Sequence, residues 1–453
     1  NSENFFAKAL LEPASDLQLT LDVTYAPYSE ERWRPSWTDS DWKVVNEAWR
    51  LAGSAKYLSD WGTLTGRAAY AQSGFSRDSG SNLWISNTLT NEQSGGVGDA
   101  TSESSSLNLG LEYELPEFDV GNTLWRLSTG LDVTNVTTNL WNEAARVEGL
   151  TSKSRTTIDY FERDQTNTLN TLGWYLQTEV EWGRLTLTPG LRIDYDDFSF
   201  NTNYAPRIKA ELDTMDDGTL VLVAGASRYY GGQLLAYAFD RYRPNNTTIT
   251  TISTGSQRFL VGNDREYQAK GLDTPYSDEF MGGLTGTAAG FEYALELVHR
   301  DHRDQLISKT EDGELYELTN DGKSSYDGIT ASLARTFEAG RFGVHTLTLG
   351  ATKSRTKTFE GAYDSDVRVD RISGGAPYDY DRVDYDGELI DRSDLPADEF
   401  NAPLVVTLSW LGSFQDDRLR VNCVSRWRDS TTGLLDDERV ASDTPYGTTA
   451  SKP

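Results

Sequence analysis

The chain has 453 residues, a formal net charge of −28 and a hydrophobic fraction of only 37%. The acidic surplus argues against a nucleic-acid partner, which needs clustered Lys and Arg, and no apolar run approaches the ~18 residues that a spanning helix requires. Aromatics reach 11%, with 23 Tyr, 12 Trp and 39 Gly, a mixture poor in helix formers and suited to strands and turns. The lone Cys423 excludes an intramolecular disulfide framework and stands in a stretch that reads as a strand.

In chain order, a weakly alternating apolar run over 5–11 is closed by Pro13. Leu17, Leu19, Leu21, Val23 and Tyr25 then alternate with Gln18, Thr20, Asp22 and Thr24. Side chains of a strand point to opposite faces with a period of two, so such a run has one greasy face and one polar face. A polar, Trp-bearing loop is expected at 26–44, then strands over 45–58 and 61–74 joined by Ser59 and Asp60. The Ser-, Gly- and Asn-rich segment 75–103 reads as a second long loop, too polar to pack as a core. Leu107, Leu109, Leu111, Tyr113 and Leu115 form the next apolar face, and Trp125, Leu127, Leu131 and Val133 the one after; a loop at 137–168 follows.

The clearest alternation lies mid-chain. Trp174, Leu176, Thr178, Val180 and Trp182 share one parity; after Gly183 and Arg184 come Leu185, Leu187, Pro189, Leu191, Ile193 and Tyr195. A third run sets Arg207, Lys209, Glu211 and Asp213 against Ile208, Ala210 and Leu212, and a fourth, over 219–227, is smaller and less cleanly alternating. Another long loop, rich in Tyr, Arg and Asn, is expected at 229–274. Paired strands over 275–286 and 291–307, and over 326–338 and 341–357, lead to an acidic loop at 358–400 and a last pair over 402–414 and 419–429.

This makes about sixteen strands, with short and long connections in alternation, the pattern of short periplasmic turns and longer extracellular loops in outer-membrane barrels. A soluble all-β protein is not expected to put its long loops on one side. The expected fold is all-β, a transmembrane antiparallel β-barrel. Turn counting puts both chain ends on the extracellular side, and an open edge in lipid leaves backbone groups without partners, so the chain reads as an incomplete barrel forming a single domain over 1–453.

Several segments are familiar in this light. RLTLTPGLRIDYDDFSFNTNYAPRIKAELD, over 184–213, resembles the mid-barrel of TonB-dependent outer-membrane receptors; GASRYYGGQLLAYAF, LDTPYSDEFMGGL and FNAPLVVTLSW resemble later barrel segments of that family, in family order. The resemblance implies a barrel of about 22 strands with a plug domain inside, the bacterial outer membrane as location, and uptake of a scarce solute such as a ferric siderophore, driven by TonB through a plug region that this chain does not contain. A passive porin-like channel and a surface adhesion or binding protein are the alternatives. Outer-membrane lipid and lipopolysaccharide are expected around the wall.

No catalytic constellation and no cofactor signature is present, and no enzyme activity is expected. His299 and His302 fall three apart in a strand, on opposite faces, which is wrong for shared metal ligation. Asp379, Asp381, Asp384, Asp386 and Gly387 fail the EF-hand spacing. Arg192, Arg207 and Lys209 take the polar parity and are expected to face the lumen, where they either pair with neighbouring carboxylates or meet a plug or an anionic solute. Arg228, Tyr229, Tyr230, Arg241, Tyr242 and Arg243 flank the long loop at the outer mouth, as ligand contacts by stacking and charge or as loop anchors. Tyr113, Trp125, Trp182 and Tyr195 read as girdle aromatics at the membrane interfaces.

Overall fold

The structure, a computed structural model, describes residues 2–231, 247–253, 256–261, 271–310, 316–359, 366–368, 382–385, 388–391, 404–415, 418–430, 435–436 and 449–451. One large antiparallel sheet dominates them. Its wall strands are β1 (Phe5–Ala14), β2 (Leu17–Arg32), β3 (Trp42–Ser59), β4 (Gly62–Ser79), β5 (Ala100–Glu114), β6 (Thr123–Asn142), β7 (Arg163–Trp182) and β8 (Leu185–Asp196). They continue as β9 (Thr202–Asp213), β10 (Val221–Tyr230), β11 (Tyr276–Ala288), β12 (Phe291–Thr310), β13 (Tyr316–Glu338), β14 (Val344–Phe359), β15 (Leu404–Phe414) and β16 (Leu419–Arg428). Two three-residue pieces, Phe118–Val120 and Asp366–Arg368, pair beside β6 and β12.

Each wall strand pairs antiparallel with its sequence neighbours, from β1 on β2 to β15 on β16, so the sheet is an up-and-down meander. The all-β expectation, with sixteen wall strands, is met. Among the described residues no ladder joins β1 to β16, and the sheet stands open along those two edges.

Connections alternate in length as expected. Tight turns lie at one end. Gly183, with φ +56°, occupies the left-handed region that suits glycine and turns β7 into β8. Ala289 and Gly290, with φ of 52° and 76°, are both left-handed, the type I′ pattern whose twist matches the flanking strands.

At the other end the strands run further than apolar alternation suggests. The expected loop at 26–44 narrows to 33–41, because β2 and β3 stay paired from Leu17↔Tyr57 to Arg32↔Trp42. Segment 137–168 is mostly strand: β6 reaches Asn142, β7 begins at Arg163, and Ala145–Leu150 and Ser154–Tyr160 lie between. Segment 75–103 carries the strands Leu83–Asn87 and Glu92–Gly95, and segment 229–274 carries Thr247–Ser253 and Ser256–Val261. β13 begins at Tyr316, ten residues before the expected start. Within 358–400 β14 runs on to Phe359, and the other described pieces are the short strands Asp366–Arg368, Arg382–Tyr385 and Glu388–Asp391; Asp379, Asp381, Asp386 and Gly387 lie outside the described residues. The physical reason is that backbone ladders need no apolar side chains, so alternation marks only the part of a strand that faces lipid.

Exposure shows which way the faces point. Leu21, Leu51, Leu109, Leu131, Leu222, Leu297 and Leu347, on seven of the wall strands, share the apolar parity, and all are exposed. The accessible surface is 28,215 Å², against about 17,000 Å² for a globular monomer of this length. Such a wall has no interior of its own to hide Leu, and lipid takes the place of a core.

Aromatic residues bracket the apolar band. Toward the tight turns Trp61 packs between Tyr57 (6.2 Å) and Tyr113 (5.6 Å), and Phe118 stacks on Trp125 at 6.3 Å. Toward the long connections Phe5 stacks on Tyr25 at 6.2 Å and Trp49 packs on Tyr70 at 5.2 Å. At ~3.3 Å per residue and a tilt of ~40°, the stretch from Trp49 to Tyr57 rises roughly 20 Å, close to the ~25 Å lipid-facing band of outer-membrane barrels.

Candidate functional site

Three regions could meet a solute: the polar face of the wall, the rim at the long-connection end, and the long connections themselves. On the polar face, Arg192 of β8 donates from Nε to Asp194 Oδ1 at 2.8 Å and from Nη1 to Asp132 Oδ2 of β6 at 3.0 Å. Gly173 of β7 makes room for it, since a Cβ there would sit 2.3 Å from Arg192 Nη2 and 2.7 Å from Asp194 Oδ1. Lys209 of β9 stands 2.9 Å from Glu211. Arg207 lies across Gly190, where a Cβ would come within 2.9 Å of its Nε.

Further cations on this face are also matched to carboxylates. Arg50 meets Asp22 at 2.6 Å, Arg67 meets Glu112 at 2.7 Å, and Arg126 is shared among Glu117, Glu179 and Glu181 near the tight turns. Most of these pairs span adjacent strands or next-but-one residues of one strand; Arg192 reaches Asp132 two strands away, and Glu117 meets Arg126 from the connection after β5. Alternation identifies Arg192 as a polar-face residue; Asp132, 60 positions away, becomes its partner only through the pairing of β6 with β7 and β7 with β8.

At the rim, Arg228 of β10 donates to both carboxylate oxygens of Asp278 in β11, each at 2.7 Å, in the bidentate geometry that gives such pairs their strength. Its guanidinium lies 4.1 Å from the ring centroid of Tyr276, which in turn packs on Tyr230 at 5.9 Å. The register places Arg228, Tyr230, Tyr276 and Asp278 on the parity of Leu222 and Leu284, the apolar face. Tyr229 takes the opposite parity and is 49% exposed. Arg241, Tyr242 and Arg243 lie outside the described residues. Tyr113, Trp125 and Trp182 stand near the tight turns and Tyr195 near the long-connection end, all on the apolar parity.

Beneath the rim a polar network fixes the brief connection between β8 and β9. Asp196, buried, accepts the backbone N–H groups of Phe198 at 3.1 Å and Ser199 at 2.7 Å. Asn203 donates to Thr274 Oγ1 at 3.0 Å and Asn201 to the Leu272 carbonyl at 2.8 Å, which ties this connection to the start of β11.

The long connections build a second sheet of six strands, in the order Ser256–Val261, Thr247–Ser253, Ser154–Tyr160, Ala145–Leu150, Leu83–Asn87 and Glu92–Gly95. It joins the connections that follow β4, β6 and β10, and a bridge from Thr38 to Ser94 adds the one after β2. Beside it Trp37 packs on Trp84 at 5.2 Å, with the guanidinium of Arg34 4.2 Å above Trp37. Trp42 and Arg77 help to line a cavity of about 220 Å³ there, and the buried Trp84 Nε1 has no hydrogen-bond partner among the described residues. Sequence reading passed over this aromatic and cationic pocket. Its one local signal was the density of Trp at 33, 37 and 42.

His299 Nδ1 and Asp327 Oδ1 are 2.8 Å apart on the apolar parity, and His345 is buried beside Trp410 and Phe414. Among the described residues no group of three His, Cys, Asp or Glu side chains is arranged to hold a metal ion.

A family model described as TonB dependent receptor-like, beta-barrel matches residues 5–450. The uncharacterized protein YddB of Escherichia coli (strain K12) is 27% identical over 245 residues, 52% of this chain and 28% of that protein. Among solved structures, the outer membrane transporter YddB from Escherichia coli superposes with a TM-score of 0.80 at 18% identity, over all of this chain and 60% of that one. The siderophore receptor PirA from Acinetobacter baumannii gives 0.59 at 12% identity, over 95% of this chain and 60% of that one. The RagAB peptide transporter gives 0.59 at 10% identity, over 97% and 59%. At these identities the structural likeness establishes the fold, and the chain spans about 60% of each of these solved chains and 28% of the curated relative.

Proposed function

The chain belongs to the TonB-dependent receptor β-barrel family of the bacterial outer membrane, and from that premise we propose that its parent protein is a receptor for energy-coupled uptake of a scarce solute. The favoured cargo is a ferric siderophore. The observation that carries this reading is the family match along almost the whole chain, on a wall that is apolar on one face and ion-paired on the other. Siderophore receptors among the structural neighbours support the cargo class.

In this reading Tyr229, with Arg241, Tyr242 and Arg243, meets the chelate at the outer mouth by stacking and charge. Arg228 and Tyr230 then hold the rim for them. Arg192, Arg207 and Lys209 face a plug domain or the passing solute, and TonB delivers energy through that plug. Outer-membrane lipid and lipopolysaccharide surround the apolar face. A second cargo class, peptide, is raised by the likeness to a peptide transporter.

Growth of a deletion strain on a panel of iron, vitamin, peptide and glycan sources tests the proposal. The expected result is loss of growth on a ferric siderophore, reproduced by inactivating TonB. Uptake that persists without TonB would instead mark a passive channel.

A further inference from the structure

Where the connections after β2 and β4 meet the wall, Trp37, Trp42 and Trp84 line a slot of about 220 Å³. Trp42 of β3 stands opposite Ser79 of β4, and Val44 opposite Arg77. That register puts Trp42 and Arg77 on the polar parity and turns the slot away from the apolar face. Gly95 and Gly96 close it from the loop sheet, and the approach is too tight for a side chain. A Cβ on Gly95 would sit 1.7 Å from the Leu83 carbonyl oxygen, and one on Gly96 2.4 Å from Ser79 Oγ.

The hydroxyls of the slot are engaged with the backbone. Ser40 Oγ accepts the N–H of Arg34 at 3.1 Å and donates to its carbonyl at 3.3 Å. Ser79 Oγ donates to the Ser81 carbonyl at 2.8 Å, and Arg77 donates from Nε to the Gly98 carbonyl at 2.9 Å. Two other groups lack such a partner. Trp84 Nε1 is buried with no hydrogen-bond partner among the described residues. Arg34 is exposed, with its guanidinium 4.2 Å from the Trp37 ring centroid and 5.4 Å from that of Trp84, and it makes no ion pair among the described residues. It differs in this from Arg50, Arg67, Arg126, Arg192 and Arg228, each of which has a carboxylate.

Size, walls and charge together define the guest. An apolar cavity of ~150 Å³ accepts benzene, whereas drug-sized ligands fill ~300–1,000 Å³, so this slot takes one ring and excludes a whole chelate. Indole walls suit a flat apolar ring. A sugar would need hydroxyl partners that Ser40 and Ser79 have already given to the backbone, and a bare anion would leave the indoles unused. The planar guanidinium at the edge matches a carboxylate. We propose that the slot binds a single aromatic ring bearing a carboxylate, with the ring among Trp37, Trp42 and Trp84 and the carboxylate on Arg34. Such a group comes either as a free aromatic acid or as the C-terminal aromatic residue of a peptide.

Fluorine NMR of the detergent-purified full-length protein, with 4-fluorophenylacetate as probe, tests the site. The wild type should prefer this acid about tenfold over the neutral 4-fluorophenylacetamide, the order expected of one charge-assisted pair. Arg34→Gln should abolish that preference, and Trp37→Ala should weaken acid and amide alike. Arg32→Gln is the control, since Arg32 is paired with Glu30 at 2.7 Å, and should change neither. The gel shift on boiling verifies that each variant is folded, and Trp37→Leu replaces the alanine variant if that one fails. Stronger displacement by Gly-Gly-Phe than by phenylacetate assigns the slot to peptide C-termini, and the reverse order to free aromatic acids. Equal affinity for acid and amide in the wild type, an undiminished preference in Arg34→Gln, or equal loss in Arg32→Gln overturns the proposal. Acetate or glucuronate displacing the probe as well as phenylacetate does overturns it too. The slot shares no residue with the outer-mouth set at 228–243, so its failure leaves the uptake reading to the growth panel.

Discussion

Asp213 ends β9 and organises the turn beyond it, outside lipid. Its carboxylate accepts backbone N–H groups from Gly218 at 2.8 Å, Asp216 at 2.9 Å and Met215 at 3.2 Å. These bonds, Gly218 foremost, favour the charged form and hold the carboxyl below its ordinary value of 3.8. A carboxyl lowered on folding contributes stability that is present above its unfolded pKa and lost as pH falls through its folded one. Urea unfolding in detergent from neutral pH to about pH 3 should therefore show an acid-side loss that Asp213→Asn reduces; an unchanged acid limb would refute this. Residues also differ in how legible they were. The polar parity of Arg192 could be read because Leu185 to Tyr195 alternate cleanly. The apolar parity of Arg228 could not, since Val221, Leu222, Val223, Ala224, Gly225 and Ala226 are small or apolar on both faces. Its clamp partner Asp278, 50 positions on, has no local signal at all.

At the level of elements, lipid-facing alternation disclosed the wall strands and their order, and missed their polar extensions. β6 and β7 pair as far as Asn142↔Arg163, well beyond Val133, the last residue of the apolar alternation read in β6. Nor does composition reveal that 83–95, 145–160 and 247–261 pair with one another, because those contacts join segments far apart in the chain. Ser154–Tyr160 is the middle of that second sheet, with Ile158 in register with position 147 on one side and position 249 on the other. Proline there removes a ladder donor and is poorly tolerated in a central strand. Ile158→Pro should make segments 83–95 and 247–261 cleavable by protease on intact cells while the wall keeps its shift on boiling. Equal cleavage in wild type and variant would mean that the loop sheet does not protect them.

For the molecule as a whole, the two faces have opposite solvents, and neighbouring positions should respond oppositely to the same change. Leu109, 44% exposed, stands on the apolar parity of β5, and Asn108 on the polar one. Leu109→Arg should cost about 2–4 kcal/mol of stability in a bilayer, the usual penalty for arginine near the midplane of a barrel's lipid face. Asn108→Arg should cost far less, within the range of ordinary surface changes, about 0.5 kcal/mol. Urea unfolding in vesicles measures both, and equal costs would contradict the assignment of faces.

The loop sheet has one more consequence, for how such a protein can be altered. Four connections share ladders and bridges, so the mouth is one woven panel in place of four independent flaps. A graft that replaces a single loop leaves its former partners with unpaired edges and a foreign register. Transplants of recognition between relatives should succeed when these segments travel as a set.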